Sequence, residues 1–171
     1  GTMLDCLSRQ GYDVLGVGKI YDIFAGKGLT RYVRDIGNLC DMSHTVSFQS
    51  IPFHGLCFTN LVDFDMSYGH RRDPEGYALA LNEFDVWLGT FLEKMPPDDV
   101  LMITADHGCD PCYTGTDHTR EYIPVLISGA GIRPGNLGTR ACFGDIGATV
   151  LELLGAEGSL DGESFANKIT Y

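Results

Sequence analysis

Aspartate and histidine, which are residue types that can bind metals, are concentrated in three short segments of this 171-residue chain, at residues 63–70, 106–108 and 116–120. Five of them are candidate ligands: Asp65, His70, Asp106, His107 and His118. Mixed carboxylate and imidazole sets suit zinc or manganese better than calcium. Two such ions close together would activate a nucleophile and stabilise charge on a transferring phosphoryl group. The pattern therefore indicates metal-dependent phosphoryl or sulfuryl transfer.

Each of these residues also has an ordinary structural explanation. An Asp-His-Gly triplet can form a turn, an aspartate can cap a loop, and a single histidine is more often structural than a ligand. We favour metal binding because three such segments occur together, two after predicted strands and the third in the Gly-rich loop that follows. Asp117 is assigned to the surroundings of the ligands, and His44 and His54 are assigned to the surface or the core.

The chain has six cysteines, which we interpret as reduced thiols buried as small apolar groups. Cys109 and Cys112 have the C-x-x-C spacing of a redox pair or of half a zinc site. Neither a thioredoxin-like context nor a second pair accompanies them, so neither interpretation is favoured. Because they directly follow Asp106 and His107, we expect these thiols to be able to disturb the metal site by oxidation or by binding a softer ion.

Four short apolar runs predict β-strands, at residues 12–17, 56–62, 100–104 and 124–128. Their nearly continuous hydrophobicity is typical of strands that are covered on both faces, as in a parallel sheet. Helices are predicted at residues 2–10, 74–95, 145–154 and 164–169, with a mixture of loop and short helix at residues 27–53. The first begins with a capping box of Thr2 and Asp5.

The second of these helices begins with Asp73 as cap and Pro74 in its first turn. Its apolar residues recur at helical spacing and predict a core face: Tyr77, Leu81, Phe84, Leu88, Phe91 and Met95. Strands that alternate with helices predict an α/β layered fold with a mostly parallel sheet flanked by helices. In such folds the ligand site lies beyond the carboxyl ends of the strands, which is where two of the three acidic segments fall.

Composition excludes several classes of partner. The net charge is −11, with 12 basic residues against 23 acidic ones, which argues against nucleic acid. No apolar run approaches the roughly 20 residues of a membrane helix. We find no secretory signal and expect a cytoplasmic protein. Bound divalent cations would nevertheless let an anionic substrate approach this acidic chain.

Longer motifs resemble a known family. Residues 104–108, Thr-Ala-Asp-His-Gly, resemble the alkaline phosphatase superfamily. Residues 18–26, 60–65, 68–73, 115–121 and 145–149 resemble, in the same order, the phosphopentomutase family within it. Gly-Lys-Ile-Tyr-Asp at residues 18–22 and Gly-His-Arg-Arg-Asp at residues 69–73 are its most specific strings.

This resemblance implies an alkaline-phosphatase-like fold and an isomerase. Such an isomerase would interconvert ribose 1-phosphate and ribose 5-phosphate, and the corresponding deoxyribose phosphates, through a phosphothreonine and two Mn²⁺ ions. When the family's metal ligands are transferred to the matching motifs, one ion would be held by Asp65, His70 and His118. The other ion would be held by Asp106 and His107. Lys19 would lie near the rim of the active site, where its ammonium group meets the substrate phosphate.

The resemblance also implies parts that we do not find in this chain. Members of the family carry the nucleophilic threonine and a further metal-binding aspartate in an amino-terminal part, and they have a separate cap domain. We therefore interpret residues 1–171 as the carboxy-terminal half of the metal-binding core domain, incomplete as a fold, with the amino-terminal half of the core as its partner. Alone, it is expected to be inactive and to expose a sheet edge and an apolar face.

Two alternatives stand beside this interpretation. The first is another enzyme of the same superfamily, such as a phosphatase, a sulfatase or a phosphoglycerate mutase, although the context of Arg71 and Arg72 argues against it. The second is a non-catalytic module that binds metal or a partner protein.

Overall fold

A computed structural model describes all of residues 1–171 and shows an α/β fold. The strands are β1 (Asp13–Gly18), β2 (Arg31–Val33), β3 (Gly55–Asn60), β4 (Leu101–Thr104) and β5 (Val125–Ser128). The helices are α1 (Met3–Arg9), α2 (Ile20–Ile23), α3 (Asn38–Gln49), α4 (Pro74–Glu93), α5 (Gly144–Leu154) and α6 (Ala166–Ile169). A π-helical turn occupies Phe64–Gly69. No helix has both the length and the apolar composition that a membrane span requires.

The first three strands form a parallel sheet in the order β2-β1-β3. β1 lies in the middle, and five of its six residues are buried, as expected for a strand covered on both faces. At the carboxyl edge, Gly18 of β1 is paired in register with Asn60 of β3. Lys19 and the segment that carries Asp65 therefore leave the sheet at the same edge.

The last two strands differ from the expected parallel arrangement. β4 and β5 form a separate antiparallel pair, with Leu101 opposite Ser128 and Thr104 opposite Val125. Parallel neighbours need a crossover that returns the chain to the same end, usually through a helix. Residues 105–124 contain no helix, so β5 runs back along β4. Its residues are alternately half-buried and exposed, which is typical of a strand covered on one face only.

The core lies where α1 and α5 pack against β1. It is built on five buried side chains: Leu4, Leu7, Val14, Ile20 and Leu151. The predicted capping box at the start of α1 is confirmed, with Thr2 N donating to Asp5 Oδ2 at 2.8 Å and Asp5 N donating to Thr2 Oγ1 at 3.3 Å. The predicted α4, α5 and α6 are confirmed within a few residues at their ends.

Only part of the apolar surface of helix α4 is covered by the rest of the chain. Phe91 is buried, but Leu81, which was predicted to lie on the core face, is 48% exposed. Leu79 and Val86 are 60% and 75% exposed. The helix packs against the π-helical turn, where Phe64 contacts Tyr77, and nothing covers its other apolar side. The prediction that Leu81 lies on a core face is therefore wrong, because this side of α4 is uncovered.

Residues 27–53 contain more regular structure than their sequence indicates. They include strand β2 and the twelve residues of α3. The start of α3 is Asn-Leu-Cys-Asp-Met-Ser-His-Thr, which includes several weak helix formers, and its cap, Gly37, provides no side-chain hydrogen bond. Only Asn38, Asp41 and Met42 are buried, so no continuous apolar stripe marks this helix in the sequence.

Candidate metal centre

The candidate ligands converge at the carboxyl edge of the parallel sheet. The π-helical turn follows β3 and holds Asp65 next to His70, whose backbone N–H donates to the Asp65 carbonyl at 2.9 Å. Single π-helical turns of this kind are often found at functional sites. The turn places both side chains on the same side of the chain.

Asp65 is the centre of this cluster. Its Oδ1 lies 3.2 Å from Nε2 of His70 and 3.3 Å from Nε2 of His118. The Asp65 side chain is 28% exposed, so the carboxylate is partly withdrawn from water yet open on one side. His118 comes from the loop between β4 and β5, so two distant segments meet at one carboxylate oxygen.

The segment after β4 joins the same cluster. The imidazole of His107 stacks on that of His118, with ring centroids 3.6 Å apart. Asp65, His107 and His118 each offer a ligand atom, and these three atoms lie within 4.8 Å of one another. Asp106 is more peripheral, because its side chain is 70% exposed and its Oδ1 lies 3.6 Å from Nε2 of His107.

The structure thus brings the five predicted residues into one contiguous cluster. Its tightest triad, Asp65, His107 and His118, combines members of the two sets that were predicted to hold separate ions. Their role as metal ligands remains a prediction, and so does the number of ions.

Backbone carbonyl groups orient two of the imidazoles. Nδ1 of His70 contacts the carbonyl oxygen of Thr116, and Nδ1 of His107 lies 3.0 Å from the carbonyl oxygen of Gly108. A carbonyl can only accept, so in each ring Nδ1–H donates, and in the neutral imidazole this leaves Nε2 as the nitrogen with the free lone pair. This second hydrogen bond is the usual way in which a protein fixes a metal-binding histidine.

Lys19 lies at the same edge of the sheet, directly after β1. Its exposed ammonium group contacts no carboxylate, and its nearest polar partner is the Met66 sulfur at 3.8 Å. It is therefore free to meet an anion, although substrate binding remains a prediction. The other histidines are structural, as predicted: His44 pairs with Asp35 at 2.7 Å, and His54 packs on Tyr12.

Cys109 also reaches the cluster, in line with the expectation that a thiol directly after Asp106 and His107 lies close to the site. Its Sγ donates to Oδ1 of Asp65 at 3.5 Å. Burial, followed by the hydrogen bond to Asp65, raises the pKa of the Cys109 thiol to about 11. A redox nucleophile needs a lowered pKa, so the raised pKa of Cys109 argues against a thioredoxin-like role. The only sequence signal was the position of Cys109 two residues after His107.

Comparison with known proteins agrees with this geometry. Residues 34–158 match the profile of the Metalloenzyme superfamily. The chain belongs to this superfamily. The match covers the turn with Asp65 and His70, the segment after β4 and the loop with His118.

Curated relatives of this metalloenzyme are phosphopentomutases. That of Lachnoclostridium phytofermentans is 53% identical over 165 residues, which are 96% of this chain and 42% of the relative. That of Carboxydothermus hydrogenoformans is 53% identical over 169 residues, which are 98% of this chain and 43% of the relative. The chain thus spans about two fifths of the length of these relatives.

A solved structure confirms the fold. Phosphoglycerate mutase of Leishmania mexicana, crystallised at low cobalt concentration, superimposes with a TM-score of 0.72 over 94% of this chain and 38% of its own. At 20% identity, this likeness concerns the fold alone. It agrees with the expected α/β architecture of alkaline phosphatase type.

Proposed function

We propose that residues 1–171 form the carboxy-terminal half of a phosphopentomutase core and supply five of its metal ligands. The complete enzyme would interconvert ribose 1-phosphate and ribose 5-phosphate, and the deoxyribose pair, through a phosphothreonine outside this chain. The observation that carries the proposal is the convergence of His70 and His118 on Oδ1 of Asp65, within a chain 53% identical to phosphopentomutases.

The ligand set suits two divalent ions of the manganese or zinc type. Asp65 and Asp106 supply hard oxygen ligands, and three imidazoles supply borderline nitrogen ligands. When bound, such ions neutralise the charge of a phosphoryl group and support its in-line transfer. The chain's own residues hold the ions at the sheet edge, fix the imidazole tautomers and present Lys19 as a cation for the substrate phosphate.

We infer a cytoplasmic location for the enzyme. All six cysteines are free in the fold, and reduced thiols are typical of that compartment. We infer that the partner of this half is the amino-terminal part of the core, and the match to only 42–43% of the relatives' length is consistent with such a missing part.

A chimera tests the proposal directly. The corresponding region of the Carboxydothermus hydrogenoformans relative is replaced by residues 1–171, and conversion of ribose 1-phosphate to ribose 5-phosphate is measured with Mn²⁺. We expect turnover by the chimera, no turnover by residues 1–171 alone, and loss of turnover in the chimera that carries Asp65→Asn.

Two results would contradict the proposal. Turnover by residues 1–171 alone would mean that the nucleophile lies within this chain. A folded chimera that binds Mn²⁺ but does not isomerise either pentose phosphate would favour the non-catalytic metal-binding module.

A further inference from the structure

An isolated bridge closes the loop that carries His107 and His118. The loop joins β4 to β5 without a helix or strand of its own, yet it stacks the two imidazoles with their ring centroids 3.6 Å apart. The residues that directly follow these histidines form an antiparallel bridge, in which Thr119 N donates to the carbonyl oxygen of Gly108 at 3.0 Å. The bridge therefore holds the two histidines side by side.

The carbonyl group of Gly108 connects this bridge to the orientation of His107. Its oxygen accepts from Thr119 N and also lies 3.0 Å from Nδ1 of His107. The two segments approach each other so closely that a Cβ atom on residue 108 would overlap Oε2 of Glu121 and the carbonyl oxygen of Thr119. If Thr119 moved away from Gly108, the carbonyl could turn and the tautomer of His107 would no longer be fixed.

The hydroxyl group of Thr119 ties the bridge to both of its flanks. Its Oγ1 accepts from the backbone N–H of Asp110 at 2.7 Å and donates to Oε2 of Glu121 at 2.5 Å. The second distance is typical of a hydroxyl that donates to a charged carboxylate. The hydroxyl is thus used both as acceptor and as donor, which a methyl group in its place could not reproduce.

We propose that Thr119 is a positioning residue of the metal centre, which acts through His107 and His118. Its hydroxyl holds the bridge in the metal-free chain, where the ligand atoms of Asp65, His107 and His118 already lie within 4.8 Å of one another. Ligands that are ordered in advance lose less conformational freedom when the ion binds, and this raises affinity. The proposal rests on the metal centre of the proposed function and adds to it a residue, outside the ligand set, that determines its affinity.

Metal affinity of the full chain tests this role without catalysis. Binding of Mn²⁺ and of Zn²⁺ is measured by calorimetry in wild type, Thr119→Val, Thr119→Ser and Thr114→Val. Loss of a group that orients a ligand typically lowers metal affinity about 10- to 100-fold, which we expect for Thr119→Val. Thr119→Ser should regain most of the affinity, because its hydroxyl can make both hydrogen bonds. Thr114→Val is the matched control, because Thr114 is exposed in the same loop.

The tautomer of His107 gives a measurement that a change in stability alone would not move. It is read from the ¹⁵N NMR shifts of the histidine rings in the metal-free chain, at a pH where the rings are neutral. We expect the proton of His107 on Nδ1 in wild type and in Thr119→Ser. In Thr119→Val it should be shared between Nδ1 and Nε2, because the Gly108 carbonyl is no longer held.

Glu121 should be coupled to Thr119. Glu121→Ala removes the acceptor of the Thr119 hydroxyl, so it should lower metal affinity in the wild-type background and do so less in the Thr119→Val background. If Thr119→Val fails to fold, Glu121→Ala breaks the same hydrogen bond from an exposed position and carries the same expectation for the His107 tautomer. Equal losses of affinity in both backgrounds would mean that Glu121 acts through its charge, and would overturn its link to Thr119.

The possible failures are distinguishable. Wild-type affinity and an unchanged tautomer in Thr119→Val would overturn the role of Thr119 and leave the metal centre intact, and so would equal losses of affinity in Thr119→Val and Thr119→Ser. An equal loss in Thr114→Val would do the same, because the effect would then belong to the loop as a whole. No binding of Mn²⁺ or Zn²⁺ by a folded wild-type chain would overturn the metal centre, and the role of Thr119 with it.

Discussion

Nε2 of His118 lies 3.3 Å from Oδ1 of Asp65, and the His118 ring stacks on that of His107. Asp65 belongs to the turn after β3 of the parallel sheet, whereas His107 and His118 both belong to the loop that joins β4 to β5 of the antiparallel pair. The two small sheets are not joined by strand pairing. The ligand cluster is therefore one of the links between them, and an ion bound there would hold both together.

Metal binding should consequently stabilise the chain. An ion that binds only the folded state at 100 times its Kd adds about 2.7 kcal/mol to the free energy of unfolding. We expect Mn²⁺ or Zn²⁺ to raise the Tm of the wild-type chain, and Asp65→Asn to abolish the rise. Asp106→Asn should reduce it less, because Asp106 is more exposed and peripheral. Thermal unfolding with and without metal measures these differences, and an equal rise in wild type and Asp65→Asn would place the ion elsewhere.

The sequence was sufficient to predict the positions of most elements and the convergence of the site. The capping box of Thr2 and Asp5 and the proline at the start of α4 are local signals that need no tertiary information. The convergence was predicted from the rule that strands of a parallel sheet present their carboxyl ends at the same edge, but this rule accounts only for Asp65, because β4, which precedes Asp106 and His107, belongs to the separate antiparallel pair. Asp65 is placed at that edge as the rule requires.

Other features depend on tertiary context that a linear pattern does not encode. An apolar run is the same whether its strand pairs in parallel or antiparallel, so the direction of β5 was not predictable from its residues. The exposure of Leu81 depends on what covers α4, and the contact of Cys109 with Asp65 depends on Gly69, because a Cβ atom at that position would overlap the Cys109 sulfur. Helix α3 is held by packing rather than by its weak helix formers.

The buried carboxyl group of Asp41 should make stability depend on pH. Asp41 is fully buried in α3, and neither of its carboxylate oxygens has a hydrogen-bond partner. Burial, with a smaller contribution from Asp63, raises its pKa from 3.8 to about 6. The folded chain therefore holds a proton that the unfolded chain has lost between pH 4 and 6, so stability falls as pH rises through this window and stays lower above it.

Asp41→Asn should remove the free-energy cost of ionising this buried carboxyl group. A rise in pKa from 3.8 to about 6 corresponds to about 3 kcal/mol at neutral pH, so the variant is expected to be more stable at pH 7 by up to about that amount. At pH 4 the difference should largely disappear. Urea unfolding at both pH values measures it, with exposed Glu152→Gln as the control. Equal stability of Asp41→Asn and wild type at pH 7 would show that the carboxylate has a partner in solution.

Asp145 should contribute to stability with the opposite pH dependence. Its carboxylate accepts from Nε of Arg140 at 2.8 Å and from the backbone N–H of Glu163 at 2.9 Å, and the residue is only 3% exposed. The hydrogen bond from Glu163, and then Arg140, lowers the pKa of Asp145 below 3.8. The stability that Asp145 contributes is therefore fully present at pH values above its pKa in the unfolded chain. It is lost as the pH falls through the lower pKa that Asp145 has in the folded chain.

Asp145→Ala would leave Arg140 without its buried partner, and breaking such a pair destabilises by about 3 kcal/mol or more. We expect urea unfolding at pH 7 to show this loss in the free energy of unfolding. Below pH 3.8 the difference in free energy of unfolding between the variant and wild type should be smaller. Glu163→Gln is the control, because the Glu163 side chain is 84% exposed and its carboxylate lies 3.9 Å from Arg140, a geometry worth less than about 1 kcal/mol. Equal losses in both variants would mean that the ion pairs of Arg140, rather than burial of Asp145, determine the effect.

The uncovered face of α4 should make the chain associate at high concentration. Val86 is 75% exposed and lies on the same helix as the exposed Leu79 and Leu81. Exposed apolar patches of this kind mark surfaces that another protein segment normally covers. We expect the sedimentation coefficient of the wild-type chain to rise with concentration and that of Val86→Lys to rise less. Glu83→Gln changes the net charge by the same amount at a neighbouring position without removing apolar surface. If Glu83→Gln suppresses association as strongly as Val86→Lys does, charge rather than the apolar face drives it.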